Sequence, residues 1–181
     1  KLFLASCEHQ ELFDSLERLV VYATATDGCH LSNLPPALDS DGQALMNGLN
    51  KNEMSQLLAL LAQDTQTHHK LEPIKPDIIG EYLVLSYIEQ TSHAPKCKQF
   101  VAACWEKDEE FLSFLVRCVR SYLRDFSSLV FDESSPLFAE AHPSAQAIIL
   151  FGMTTLPDSA FCQRATELIG SLYKEDEKAS L

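Results

Sequence analysis

No apolar run in this 181-residue chain reaches membrane-spanning length, and no basic-then-apolar leader opens it. That pattern predicts a soluble, cytoplasmic protein. Positive charge is also scarce: 14 Lys and Arg stand against 26 Asp and Glu, for a formal net charge of −12 and a pI near 4.8. A general nucleic-acid binder needs clustered cations to displace counterions from phosphates, so that class is disfavoured. Glycine occurs at positions 28, 42, 48, 80, 152 and 170 alone, and none of these spacings makes G-x-x-x-x-G-K-[ST]. No hydrolysis of ATP is therefore expected from these residues. The G-x-S-x-G nucleophile elbow and the H-E-x-x-H zinc helix are missing as well.

The six cysteines, Cys7, Cys29, Cys97, Cys104, Cys118 and Cys162, contain no C-x-x-C pair. A chain of this length buries a sizeable core without disulfide staples, so they read as reduced thiols, several acting as small hydrophobes. Cys104 and Cys118 lie on different predicted helices and can meet in the core. A cysteine nucleophile needs a base, however, and His93 and His142 sit in breaks with nothing tying them to either thiol. His68 and His69 are adjacent, which in an extended segment sends them to opposite faces and disfavours joint metal ligation. Neither a catalytic set nor a metal site is expected. The first residue is Lys1, and the chain reads as a piece of a longer protein.

The residues that are present favour helices. From 8 to 26, Leu12, Phe13, Leu16, Leu19, Val20 and Ala23 recur at helical spacing, and Asp27-Gly28 supplies a stop. Residues 32–38 can form a short helix around Pro35 and Pro36. Residues 39–42 read as a turn, and 44–49 as a loose helical piece. A further helix is predicted over 52–63, with Asn52 as its cap and Met54, Leu57, Leu58, Leu60 and Leu61 as its apolar side. Residues 64–73 are polar and β-tolerant at Thr65, Thr67 and Leu71, which suggests a hairpin or wing carrying His68 and His69. Helix, short helix, helix, wing, helix is the order of a winged-helix module.

Everything before residue 90 is arranged around the stretch 71–85 (LEPIKPDIIGEYLVL). Pro76 fixes its own φ and pushes Lys75 towards extended geometry, while Asp77 can accept from free backbone N–H groups at a helix entrance. Ile78, Ile79, Tyr82, Leu83, Leu85 and Ile88 would give the new helix a broad apolar face. Glu81 suits the positive end of the helix dipole. Gly80 weakens a helix by about 1 kcal/mol relative to alanine, which implies a close approach by a helix, a ligand or backbone.

After Gln90 the patterns are helical throughout. Residues 91–95 break the chain, and Phe100, Val101 and Cys104 mark a short helix ending near Trp105. Phe111, Leu112, Leu115, Cys118, Val119, Tyr122, Leu123 and Phe126 form a stripe in a helix of about twenty residues. Arg117, Arg120 and Arg124 recur on its second face, where they either greet an acidic or phosphate partner or form a solvated face paired with local carboxylates. Residues 127–142 form a longer connection. Residues 144–155 and 158–173 read as a helical pair hinged at Pro157, before a charged tail. The fold class is accordingly mainly α: a winged-helix-like domain with a small β wing at 1–90, then helical hairpins, α-solenoid or bundle-like, at 91–181.

Three stretches, 16–28 (LERLVVYATATDG), 71–85, and 105–108 (WEKD) with 114–117 (FLVR) and 124–126 (RDF), resemble the segment that follows the ATPase core in bacterial STAND-type signalling NTPases. The resemblance spans residues 10–126, and Pro-Asp-x-x-Gly-Glu is its most specific part. It implies a winged helix that closes over a nucleotide and helical repeats that sense a ligand or bind a partner. Pro76 and Asp77 fall where related NTPases place a His-Asp pair whose histidine approaches the β-phosphate of ADP. Proline cannot donate that hydrogen bond, so the resemblance leaves Asp77 as a helix cap, and Gly80 and Glu81 for close packing and polar contact with the ATPase core. The implied function is a non-catalytic regulatory segment, a lid and relay between nucleotide state and a sensor or effector region. Its expected partners are the ATPase core of the same longer chain and other proteins, without nucleic acid or membrane. ATP or ADP would belong to the parent ATPase, and no cofactor to these residues. One alternative is a winged-helix DNA-binding regulator, although residues 52–63 hold no Lys or Arg and only Lys51 lies beside them. Another is a free-standing all-helical protein-interaction module, which would lack the hairpin at 64–75.

Overall fold

The computed structural model describes residues 10–50, 52, 53, 56, 57, 70–75, 77–122, 129, 135, 137, 146, 163, 166, 167 and 170. The fold is mainly helical with one small antiparallel β pair. The chain divides into two compact units, Lys1–Tyr87 and Ile88–Leu181, the division falling inside a helix where the sequence reading places it after Gln90.

In the first unit, helix α1 (Gln10–Ala25) buries Leu19, Val21, Tyr22, Ala23 and Ala25. Thr24 and Thr26 are buried too, because each hydroxyl returns a hydrogen bond to the carbonyl four residues back, Val20 at 2.7 Å and Tyr22 at 2.8 Å. The helix ends at Asp27 and Gly28, both at positive φ (56° and 100°), and Gly28 N–H donates to the Ala23 carbonyl at 2.6 Å. This left-handed exit turns the chain into strand β1 (Cys29–His30). A 3-10 turn at Pro36–Leu38 follows, opening with a proline at its first position. It runs directly into helix α2 (Asp39–Gly48).

Two parts of the sequence reading change here. Residues 39–42 are the first turn of α2, not a separate turn. Asp41 is drawn inside by Arg18, whose Nη1 lies 2.8 Å from both carboxylate oxygens, and Gly42 lets Leu34 pack against the helix backbone. The cap of the next helix lies two residues earlier than expected. Asn50 Oδ1 accepts from the N–H groups of Asn52 and Glu53 at 3.0 Å each, and Glu53 Oε2 accepts from Asn50 N–H at 2.9 Å. This reciprocal capping box makes Asn50 the cap in place of Asn52. Asn52, Glu53, Gln56 and Leu57 are helical, while the rest of the expected apolar side, Met54, Leu58, Leu60 and Leu61, lies outside the described residues.

Strand β2 (Lys70–Leu71) pairs antiparallel with β1, Cys29 opposite Leu71 and His30 opposite Lys70. The sequence reading sought the partner of Leu71 within the wing and expected no strand at Cys29–His30. Thr65, Thr67, His68 and His69 lie outside the described residues. After β2 the chain enters helix α3 (Asp77–Thr91).

In the second unit, helix α4 (Pro95–Trp105) starts on a proline and buries Cys97, Phe100, Val101, Ala103, Cys104 and Trp105. Glu106 and Lys107 turn the chain into helix α5 (Asp108–Tyr122), which buries Phe111, Phe114, Leu115 and Cys118. Trp105 meets Phe111 edge to face at 4.8 Å, and Phe111 stacks on Phe114 at 6.3 Å. Each large side chain fully buried here stabilises the unit by about 1.5–3 kcal/mol. The expected helix pair over 144–173 and the end of the long stripe beyond Tyr122 fall largely or wholly outside the described residues.

Candidate functional site

Four residues bring the approach to α3 and the helix itself against α1. The Thr24 hydroxyl, already donating to Val20, accepts from the N–H of Ile74 at 3.2 Å, which pins the extended segment before the helix. Gly80 is buried against this junction: a Cβ there would lie 2.7 Å from Thr24 Cγ2 and 2.8 Å from the Ile74 carbonyl oxygen. The close approach implied by a glycine in a first helical turn thus has two partners, a side chain of α1 and the backbone of the incoming segment. Lys75 and Asp77 are left exposed at the bend.

Helix α3 has two sides of different character. Gly80, Glu81, Val84, Leu85 and Ile88 face inward, with Glu81 only 4% exposed. Ile78 and Ile79 are each 56% exposed and Tyr82 54%, with Leu83 and Ser86 half-buried beside them. Ile78, Ile79 and Tyr82 therefore do not form the core-facing stripe that the sequence reading assigns them. Successive residues advance about 100° around a helix, which sets Ile78, Ile79 and Tyr82 about 100–160° away from Gly80, although Leu85, seven residues after Ile78 and on its side, is buried. Because the helix is apolar on both sides, periodicity alone cannot tell which side is covered.

A polar strut holds the middle of α3. Arg18 of α1 donates through Nε to the Tyr87 hydroxyl at 3.1 Å and through Nη1 to Asp41 of α2. Its side chain is 14% exposed and that of Asp41 6%. Burial alone would lower the Arg18 pKa, yet the bonds to Tyr87 and Asp41 outweigh it and raise the value above its ordinary level. The apolar spacing of α1 gives Arg18 no inward role, and Asp41 falls in the stretch read as a turn. Arg18 among the apolar positions of α1, with Asp41 in the glycine-containing start of α2, was the available signal.

No family model, curated protein or solved structure matches the chain.

Of the box residues, Asp77 is the first residue of α3, a position inside the helix where its charge favours the N-terminal N–H groups, and not the residue before it. Gly80 and Glu81, one turn further along the same face, are buried. Pro76 lies outside the described residues. This arrangement does not fit a nucleotide diphosphate. The space at Gly80 is filled by Thr24 and Ile74, Glu81 is enclosed, and Asp77 offers an anion where phosphates need donors. Among the described residues no group of His, Cys, Asp and Glu is arranged to hold a metal ion, and no helix is long and apolar enough to cross a membrane.

The arginines considered as a partner face belong to the second unit. Arg117 is exposed on α5, its Nη1 3.4 Å from Ser113 Oγ and its guanidinium 5.8 Å from the centre of the Phe114 ring. An exposed cation–π contact of this kind contributes about 0.5–1 kcal/mol. Arg120 belongs to α5, but its side chain and the whole of Arg124 lie outside the described residues.

The cysteines are enclosed. Cys29, Cys97, Cys104 and Cys118 are free thiols in buried positions. Burial pushes Cys29 up to about 12 and raises Cys104 well above its ordinary value, with the neighbouring Cys97 adding to the latter. Burial also raises Cys97, partly opposed by a hydrogen bond with Thr91. Such thiols are poor nucleophiles because the thiolate is the disfavoured form. Cys7 and Cys162 lie outside the described residues.

Proposed function

We propose that this chain is a non-catalytic regulatory segment of a STAND-like signalling NTPase, acting as a lid and relay between nucleotide state and a sensor or effector region through protein–protein contacts. The observation that carries the reading is the clamp of Thr24, Ile74 and Gly80, which fixes the start of α3 against α1 while Lys75 and Asp77 stay at the surface. It is the stretch on which the resemblance to those NTPases is most specific. A rigidly backed bend suits a surface that distinguishes two arrangements of a neighbouring domain. A lid of this kind biases a two-state equilibrium by contacting one arrangement better than the other. The poor fit of these residues to ADP makes the readout of nucleotide state indirect, through the surface of the ATPase core. A bacterial signalling context and a cytoplasmic location belong to the same proposal.

The test is calorimetry with ADP and ATP on this chain and on the longest native polypeptide containing it. The reading predicts no binding by the 181 residues alone. It predicts binding by the longer polypeptide, with ADP release altered by Asp77→Ala or Gly80→Leu. A native polypeptide that binds no nucleotide, or one whose ADP release ignores both substitutions, contradicts it.

A further inference from the structure

We infer that Asn47 is a site of spontaneous covalent modification: at the exposed end of α2 it deamidates through a succinimide closed on the backbone nitrogen of Gly48, with water as the co-reactant. The inference stands on the geometry of α2 and is independent of the regulatory reading.

The asparagines of the chain are Asn33, Asn47, Asn50 and Asn52, and Asn47 alone precedes a glycine. Deamidation starts when the backbone nitrogen of the following residue attacks the side-chain amide carbon. A Cβ on that residue obstructs the approach and restricts the backbone rotation that brings the two atoms together. Glycine removes both obstacles, whereas Leu34, Lys51 and Glu53 keep them.

The fold leaves this pair open to the reaction. Asn47 and Gly48 are the last two residues of α2, both are exposed, and Leu49 follows at once in extended backbone (φ −117°, ψ 138°). The Asn47 side chain makes no hydrogen bond among the described residues, whereas Asn50 Oδ1 is held by the N–H groups of Asn52 and Glu53. No basic residue serves the carbonyls of the last turn, and α2 contains both Gly42 and Gly48, which weaken a helix. One contact opposes opening: a Cβ at Gly48 would lie 2.9 Å from Leu12 Cδ1, so α1 packs closely on this backbone. Helical backbone at Asn47 holds its amide carbon away from the Gly48 nitrogen. The reaction therefore runs through the frayed turn, at the intrinsic rate multiplied by the open fraction.

The Gly48 nitrogen forms a bond to Asn47 Cγ and gives up its proton, and the former amide nitrogen leaves as ammonia. Water then opens the ring at either carbonyl, giving aspartate or isoaspartate, the latter with one extra methylene in the main chain. Either product adds one negative charge to the −12 of the chain. A carboxylate at a helix C-terminus opposes the macrodipole, and an extra methylene displaces the route to Asn50, the cap of the next helix. Ammonia is lost to solvent, so the change accumulates with time and loosens the end of α2 from α1.

The test incubates the full native polypeptide in mildly alkaline buffer made with heavy-oxygen water, in parallel with the same polypeptide unfolded in urea. Peptides are mapped by mass spectrometry with electron-transfer fragmentation, which separates aspartate from isoaspartate. The expected product is a mixture of the two at residue 47 that carries one heavy oxygen. It should form faster than conversion at Asn33, Asn50 or Asn52, and more slowly in the folded protein than in urea. Gly48→Ala should lower the rate about fivefold, the scale of the backbone freedom that separates glycine from alanine. The urea arm reads that effect even if the variant folds poorly. Leu12→Ala removes the contact on Gly48 and should raise the folded-state rate towards that in urea. No conversion at Asn47 in the folded protein, a product without heavy oxygen, a rate matched at the other asparagines, or a rate indifferent to Gly48→Ala overturns the inference.

Discussion

Gly80→Ala sets two effects of opposite sign against each other. Alanine is the better helix former by about 1 kcal/mol, so on propensity alone the substitution stabilises α3. The added Cβ, however, would lie 2.7 Å from Thr24 Cγ2 and 2.8 Å from the Ile74 carbonyl oxygen. The Thr24 methyl sits on a stiff β-branched side chain whose rotamer is held by the bond to Val20. The Ile74 oxygen is backbone, and moving it strains the 3.2 Å bond from Ile74 N–H to the Thr24 hydroxyl. Overpacking of this kind costs about 1–3 kcal/mol, and loss of the hydrogen bond adds about 1 kcal/mol. The sum exceeds the propensity gain, so a net loss of about 1–3 kcal/mol is expected, read by urea denaturation followed by far-UV circular dichroism. Thr24→Ser removes the methyl and keeps the hydroxyl, so in that background the cost of Gly80→Ala should shrink by about 0.5–1 kcal/mol. A neutral or stabilising Gly80→Ala, or a cost unchanged by Thr24→Ser, refutes the clamp.

Asp41→Asn strands a largely buried guanidinium and should cost about 3 kcal/mol in the same assay, whereas Arg18→Leu with Asp41→Leu should recover most of the loss. Trp105 Nε1 is buried with no acceptor among the described residues, so Trp105→Phe should change stability by about 1 kcal/mol or less while Trp105→Ala costs about 3–5 kcal/mol, measured by the same denaturation. Cys29, Cys97, Cys104 and Cys118 should resist iodoacetamide in the native protein and react once it is unfolded in urea. The same burial predicts alkaline instability. Where the folded pKa is raised above the unfolded value, the unfolded thiol loses its proton first. Stability from Cys29 is then intact below pH 9 and falls by about 1.4 kcal/mol per pH unit between 9.0 and about 12. Cys29→Ala should flatten that part of a stability-against-pH curve.

The helical character of the chain was open to reading because Leu19, Phe100, Phe111 and Leu115 repeat at helical spacing and the structure buries them. The stop at Asp27-Gly28 was equally plain, since a left-handed exit needs residues tolerant of positive φ. Long-range choices were hidden. Nothing local in Cys29–His30 announces a strand, because its stability comes from Leu71 and Lys70 across the sheet. The polar residues 39–42 resemble a turn until Arg18 is brought against Asp41. The candidate site was half legible: Gly80 signalled a close approach, but neither Thr24 nor Ile74 could be named as the neighbour. The orientation of α3 was read wrongly for Ile78, Ile79 and Tyr82, because in a helix with apolar residues on all sides only tertiary packing chooses the inward side.

The division of α3 into an anchoring side and a presenting side is tested most directly by comparing folding free energies across the helix. Ile78→Gln, Ile79→Gln and Tyr82→Gln, made singly, should each change stability by about 1 kcal/mol or less, as exposed positions do. Leu85→Ala and Ile88→Ala, at buried positions, should each cost about 2–5 kcal/mol. Losses at Ile78, Ile79 and Tyr82 as large as those at Leu85 and Ile88 would contradict the account.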